Sequence, residues 1–230
     1  LVAALCVLSF WAVGVSGQGT WETTLLPRYF VGDDIDHPSA YYDTVLGITW
    51  LRNANAAGTT MDWTTANAWA TALDLDGTPG ADGWRLPLVV DTGTSGCNWA
   101  NTGTDCGYNV DTATGEMAHM FYVTLGNLAY YNTSGAGPQP GWGLTNTGPF
   151  SSLMASNYWS GTQYAPVSGA WLFDFRYGSQ NARPKYDGYY AWAVYPGPIG
   201  AAAPVPLPAA AWLLASGLVG LLGIGRRLRP

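Results

Sequence analysis

The stretch Tyr158–Gly178, YWSGTQYAPVSGAWLFDFRYG, decides how the chain is read. It has the form of a β-hairpin: an aromatic run YWSGT, a small-residue turn region, then a second run AWLFDFRYG. In that second run Trp171, Phe173, Phe175 and Tyr177 fall on one face of an extended chain, and Leu172, Asp174 and Arg176 on the other. Such alternation predicts a half-buried strand. A face this aromatic needs a core to cover it, which the rest of the chain has to supply.

Both ends of the 230-residue chain read as targeting segments. Between them lie roughly 185 residues, the size of one domain. Only 10% of the chain is charged, against 30 glycines, 12 tryptophans and 14 tyrosines. That is a composition of turns and aromatic burial, unlike a helical bundle or a disordered chain. Lys185 is the single lysine, and Arg226, Arg227 and Arg229 close the C-terminus. The middle of the chain holds six basic and fifteen acidic residues, a net charge of about −9. Nucleic acid is therefore not an expected partner, because phosphate binding needs a basic face.

Residues 1–17, LVAALCVLSFWAVGVSG, are an apolar run ending in small residues. Val15-Ser16-Gly17 suits signal peptidase, with Gln18 as the mature start. The run is short for a membrane span. Cys6 does not mark a lipoprotein, since Leu5 before it is too large and the apolar run continues. The expectation is an N-terminally incomplete signal peptide.

Tyr41-Tyr42-Asp43 leads into Val45–Leu51, read as a strand. Asp33-Asp34-Ile35-Asp36-His37 is the densest ligand-like cluster, but its spacing fits a calcium loop poorly and it reads as solvated loop. From Met61 to Leu75 the period changes. Ala66, Trp69, Ala70 and Leu73 share one face of a helix, which Asp62 or Thr64 caps. The turn cluster DLDGTPGADG follows. Its Asp74, Asp76 and Asp82 are weak calcium candidates, and turn formation by their side chains is the preferred reading. No cofactor or metal is expected, with calcium the one ion these aspartates could hold.

Arg85, in WRLP (84–87), lies between apolar neighbours and reads as a buried, paired arginine that organises the fold. Glu116–Leu125 predicts a second amphipathic helix, with Met117, Met120, Phe121, Thr124 and Leu125 as its stripe. Thr112 or Thr114 would start it and Gly126 would end it. Glu116 and His119 share a face, a hint of acid–base chemistry that is also common on helix surfaces, and no catalytic role is assigned to them. With Cys6 removed, Cys97 and Cys106 read as one disulfide of an exported protein, stabilising a small loop by about 2–3 kcal/mol. Tyr130–Phe150 is a Gly/Pro/Asn/Ser-rich loop containing Trp142. That ring either stacks on a sugar, whose C–H face packs on aromatics, or folds back on the core. Tyr189–Tyr195 reads as a last strand, ended by Pro196-Gly197-Pro198. The sequence contains no GxSxG, no HExxH and no phosphate loop, and only His37 and His119 as histidines, so no catalytic residue is assigned and the chain is not expected to be an enzyme.

The series Ile48-Thr49-Trp50-Leu51, the Trp69 helix, WRLP (84–87), the Glu116-Met117 helix, YWSGT (158–162), AWLFDF (170–175), Lys185 and YAWAV (190–194) resembles the Lcl C-terminal domain family. That family is named from a bacterial collagen-like adhesin. The resemblance covers about residues 40 to 196 and rests on the order of the motifs rather than on any one of them. The family is similar to the C-type-lectin-like fold shared with formylglycine-generating enzymes. This implies an α+β domain with two helices, small twisted antiparallel sheets and long loops, and a role in binding glycans or host polymers. Two departures matter. Tyr195 stands where the family often has Arg, and Cys97–Cys106 is not the cysteine pair of the formylglycine enzymes, so their oxidase chemistry is not carried over.

Val205-Pro206-Leu207-Pro208-Ala209 precedes an apolar run to Gly225, and the arginines follow. Ala210–Gly225 makes about 24 Å of helix, marginal for a bilayer. A separate transmembrane helix over 209–225 is expected, with the arginines cytoplasmic. The layout resembles the PEP-CTERM sorting signal in its VPLPA variant, which implies recognition by an exosortase in Gram-negative bacteria that make extracellular polysaccharide. A plain tail anchor is the alternative. The expected order is signal peptide 1–17, Lcl-like domain 18–196, linker 197–204 and sorting signal 205–230.

The expected function is that of an exported cell-surface or matrix protein that binds exopolysaccharide or another glycan, in adhesion or a biofilm matrix, through Trp142, Tyr164 and Tyr186. Signal peptidase and exosortase are its expected partners during export, and the C-terminal helix tethers it to the membrane before processing. The alternative is a structural matrix or tail-anchored periplasmic protein without a specific ligand.

Overall fold

The computed structural model describes residues 19–75, 83–93, 105–164 and 168–203. The first turn of helix, α1 (Trp21–Thr24), runs into β1 (Leu25–Tyr29). The strands β2 (Ala40–Asp43) and β3 (Ile48–Leu51) form a hairpin, so the strand expected over Val45–Leu51 begins only at Ile48. The reason is Asp43, whose Oδ1 accepts from Val45 N at 2.9 Å and Leu46 N at 3.0 Å and folds those residues into the turn. Helix α2 (Trp63–Thr71) follows, then β4 (Gly107–Tyr108) and α3 (Glu116–His119), which continues as a π-helix over Met120–Thr124. The chain closes with β5 (Asn157–Tyr164), β6 (Gly169–Asp174), β7 (Ser179–Pro184), β8 (Val194–Pro196) and β9 (Ala201–Ala202). This is a mixed α and β fold with few helices and two small antiparallel sheets, ordered β8-β3-β2-β1-β9 and β4-β7-β6-β5.

Both helices follow their sequence patterns. In α2, Ala66 and Ala70 are buried and Trp69 packs half-buried against the core; the helix ends at Thr71, so Leu73 of the expected face packs on the core from just beyond it. Asp62 caps it, accepting from Thr65 N at 2.9 Å and Thr65 Oγ1 at 2.8 Å. In the second helix the whole stripe Met117, Met120, Phe121, Thr124 and Leu125 is buried. Neither Thr112 nor Thr114 caps it. Gly115 occupies that place, and Thr114 Oγ1 donates to Asp111 O instead.

The Tyr158–Gly178 stretch pairs as expected, β5 with β6, but β6 differs in two ways. Ala170, Trp171, Leu172 and Phe173 are all buried, so both faces are covered and the strand is not half-exposed. It also stops at Asp174, which leaves Phe175, Arg176, Tyr177 and Gly178 in a turn. Asp174 Oδ1 accepts from Arg176 N at 2.8 Å, and Asp174 O accepts from Gly178 N at 2.8 Å. Gly178 has φ +63°, and a Cβ there would lie 2.6 Å from the Phe121 ring, so only glycine closes this turn. The turn leads into β7, which pairs with β6 along its length. Nothing apolar in SQNARP announces that strand: its buried Gln180 is held by a polar bond, Nε2 donating to Asp105 O at 2.6 Å.

The last expected strand, Tyr189–Tyr195, is mostly a crossover between sheets. Tyr189 bridges to Met61 and Tyr190 to Tyr158, beside β5. Leu51 N then donates to Ala193 O at 3.0 Å, and only Val194–Pro196 forms a strand, on β3. The segment is buried from Ala191 to Val194, so it carries a strand-like apolar run without being one. Within residues 197–204, expected to be a linker, Ala201 and Ala202 pair with Tyr29 and Arg28. No helix among the described residues is long and apolar enough to cross a membrane. Residues 205–230, with the sorting motif, the expected helix 209–225 and Arg226, Arg227 and Arg229, lie outside the described residues, as do residues 1–17.

The core joins the two sheets through rings. Trp50 of β3 packs on Trp192 with centroids 4.5 Å apart, and Trp192 meets Phe150 at 4.8 Å and Phe175 at 6.0 Å. Phe175 continues to Tyr158 at 5.3 Å and Phe173 at 5.1 Å, and Phe173 to Phe121 at 5.4 Å. Trp171 belongs to a smaller cluster with Val89 and Cys106. Trp171→Ala and Phe173→Ala are each expected to cost about 3–5 kcal/mol, as buried aromatic truncations do. Trp142→Ala, at a half-buried position, is expected to cost less than half of that. Urea denaturation of the three variants measures the difference, and a Trp171→Ala protein as stable as wild type contradicts this core.

Candidate functional site

Chemistry on this fold has to be sought where side chains converge outside the core. The Asp174–Gly178 turn delivers Arg176 and Tyr177 to the surface at one end of the β4-β7-β6-β5 sheet. The loop after the second helix runs alongside and is tied to it, Tyr130 N donating to Tyr177 O at 2.8 Å, and is closed on itself by Gly143 N donating to Leu128 O at 2.8 Å. Gly143 has φ +90°, and a Cβ would lie 3.0 Å from Arg176 O, so the loop backbone presses directly on the turn. Asn132 Oδ1 braces the loop tip, accepting from Ser134 N, Ser134 Oγ and Ala136 N at 2.7–3.0 Å. Just after β4, Asn109 Nδ2 donates to Tyr131 O at 3.0 Å.

These ties assemble a surface array of five half-buried rings, Tyr108, Tyr130, Tyr131, Trp142 and Tyr177. Trp142 and Tyr177 are parallel within 5°, centroids 5.5 Å apart. Tyr130 is the hub, edge-on to Trp142 at 4.8 Å, to Tyr131 at 4.7 Å and to Tyr177 at 5.8 Å. Tyr108 packs edge-on against Tyr131 at 5.0 Å. The Arg176 guanidinium lies 5.8 Å from the Tyr177 centroid. Burial raises the Tyr108 hydroxyl above the ordinary phenol range, and Tyr131, Asp174, Tyr177 and Tyr130 add to the shift. Burial likewise raises the Asp174 carboxyl, while bonds from Arg176 N and Tyr177 N oppose it. Edge-to-face and stacked contacts of this kind hold rings in place and leave outer faces and hydroxyls for a ligand.

The three aromatics singled out in the sequence are not brought together. Trp142 sits in the array. Tyr164 lies at the opposite end of β6, which at about 3.3 Å per residue is roughly 17 Å away. There it packs edge-on to Trp171 at 5.1 Å and lines a shallow pocket of about 200 Å³ with Ser168, Ala182 and Arg183. Tyr186, 82% exposed, stands near that end, next to Lys185, whose amine lies 4.3 Å from the Trp63 centroid and donates to Gln163 Oε1 at 2.7 Å. Sequence reading missed Tyr108, Tyr130, Tyr131 and Tyr177. The Tyr130-Tyr131 doublet, at the head of a polar loop that already held Trp142, was the available signal.

Residues 39–195 match the sequence model of the Lcl C-terminal domain. The chain belongs to the Lcl C-terminal domain family. No curated protein and no solved structure matches it. Several motifs of this Lcl domain now have physical roles. Arg85 of WRLP is paired as expected but half-buried rather than buried: it makes a two-pronged ion pair with Glu116, Nη1 to Oε2 at 2.8 Å and Nη2 to Oε1 at 2.7 Å, and Glu116 Oε2 also accepts from Leu88 N at 2.7 Å. The fork fastens WRLP to the second helix and turns Glu116 toward Arg85. Asp33 is occupied with the backbone of its own loop, accepting from Phe30 N and Ser39 N at 2.8 Å, and Asp34 pairs with His37 at 2.9 Å. Asp74 lies in the irregular segment after α2, and Asp76 and Asp82 lie outside the described residues. Among the described residues no group of three or more His, Cys, Asp or Glu is placed to hold a metal ion. Cys106 is disulfide-bonded and buried, and Cys97 lies outside the described residues.

His119 is half-buried, and its Nε2 has no hydrogen-bond partner among the described residues. Burial lowers its pKa, although Asp43 and a Thr112 backbone bond oppose the shift. The folded state therefore favours the neutral ring. Its stabilising contribution is complete above the ordinary value of 6.5 and is lost as pH falls below it toward the folded pKa. His119→Gln is expected to flatten the fall in urea midpoint between about pH 7 and about pH 5. An unchanged slope contradicts the assignment.

Proposed function

We propose that this Lcl-domain protein is an exported cell-surface or extracellular-matrix protein that binds exopolysaccharide or another glycan and has no enzymatic role. The observation that carries the reading is the braced surface array around Trp142 and Tyr177. Pyranose rings present C–H faces that pack on aromatic faces, and hydroxyls at the ring edges supply hydrogen bonds to sugar oxygens. Rings already held in position lose little entropy when a ligand docks.

Residues 1–17 are proposed as the signal peptide and 205–230 as a PEP-CTERM tail of the VPLPA variant, handled by signal peptidase and an exosortase. The 209–225 helix would hold the protein in the inner membrane until sorting, with the domain on the outer face. Two helices, two small antiparallel sheets and long loops support assigning the domain to the C-type-lectin-like fold.

The test is binding of the purified protein to the producing cell's own exopolysaccharide and to a glycan panel, with calcium and with chelator. Saturable binding is expected. Trp142→Ala and Tyr177→Ala should each weaken it by about tenfold, or 1.4 kcal/mol, while Tyr186→Ala leaves it unchanged. Loss on chelation would bring the aspartate loops back as metal sites. No binding under either condition would leave a structural matrix component held by its tail.

A further inference from the structure

We infer that the polysaccharide read by the aromatic array carries no anionic groups: it is an uncharged or amine-bearing chain, not a polyuronate or a sulfated polymer. This rests on the binding role proposed above and names its ligand class.

The placement of the cations carries the inference. The domain has six basic side chains. Arg176 is the one set on an array ring. Arg28 lies over Tyr42 in the other sheet, at 5.1 Å. Arg85 is neutralised by Glu116. Arg52 lines a separate pocket with His37 and Leu73. Arg183 stands toward the far end of β7, opposite Ala170 at the other end of β6 from the array, and Lys185 lies past it, engaged by Trp63 and Gln163. A polyanion is held by several cations along its path, and the array offers one.

The remaining charges act in the same direction. The Asp174 carboxylate sits at the base of the turn that presents Tyr177, 3.4 Å from Tyr177 N, and offsets Arg176 locally. Beyond the array the domain carries about nine more acidic than basic residues. Its field opposes the approach of a like-charged chain at distances up to the screening length, ~8–10 Å at physiological salt. Aromatic faces are themselves the negative part of the ring quadrupole. They attract C–H groups and ammonium ions and repel carboxylate and sulfate.

The experiment uses the purified full chain with matched-length polysaccharides: a set of uncharged glucans of differing linkage, a partly deacetylated amino-sugar polymer and a polyuronate. The expected result is binding to an uncharged or amine-bearing member at least about tenfold tighter than to the polyuronate, with the gap narrowing as salt rises from about 0.05 M to about 0.5 M. Trp142→Ala and Tyr177→Ala should each weaken that binding by about tenfold, and Tyr177→Phe, which keeps the ring, should retain it. Circular dichroism on each variant separates lost binding from lost folding. Polyuronate binding equal to or tighter than the others, and weakened about tenfold by Tyr177→Ala, overturns the inference but leaves the glycan-binding role standing. Binding to no polymer overturns that role and the inference with it.

Discussion

The packing of Trp192 between Trp50 and Phe175 is the contact on which the two sheets depend. Trp192 lies in the crossover from the β5 side to β3, and its indole Nε1 donates to Leu51 O at 2.7 Å. Regular structure is sparse: the sheets are narrow, the helices short, and much of the backbone is turn. Burial therefore has to come from large side chains. An aromatic side chain removes about 150–250 Å² from water, an upper-bound contribution of roughly 4–6 kcal/mol at 25 cal/mol per Å². The same rings also fasten backbone to backbone. Trp159 Nε1 reaches Met61 O at 2.9 Å and Trp63 Nε1 reaches Ser160 O at 2.8 Å. Rings thus carry both the packing and a share of the cross-links that wider sheets would supply.

Local and periodic information was legible in the sequence. The stripes of both helices, the β5–β6 pairing and the paired state of Arg85 follow from spacing and from the penalty on an unpaired buried charge. What escaped is set by partners remote in the chain. β7 reads as polar because its buried Gln180 is held through Nε2 by Asp105 O, and no apolar pattern reports that bond. The end of β6 lay in FDFRYG, where Asp174 and Gly178 define the turn, yet the aromatics between them continued the alternation and masked it. Residues 189–193 imitated a strand because a crossover buried between two sheets must be apolar throughout.

The array was the least legible part for the same reason. Tyr108, the loop that carries Tyr130, Tyr131 and Trp142, and Tyr177 come from three separate segments, brought together by backbone bonds such as Tyr130 N to Tyr177 O and by the Asn109 side chain. Nothing in any one segment predicts the meeting. Composition gave only a general indication: the chain has 26 tryptophans and tyrosines, and for those at the surface their grouping rather than their number is informative.

Grouping also separates the array from the other partly exposed rings. Tyr164 is half-buried, but its edge closes the small cluster around Trp171, so its solvent-facing side is incidental to a packing role. Tyr186 projects from a turn at 82% exposure, and a ligand would have to immobilise it, which costs about 0.5–1.5 kcal/mol for a side chain of that kind. In the array each ring is already fixed by another, and the loop and turn beneath are fixed by Gly143 against Arg176 O. The immobilisation was met during folding, by the same ring-on-ring packing that closes the core, and what remains for a ligand is to cover faces that the fold has already set in place.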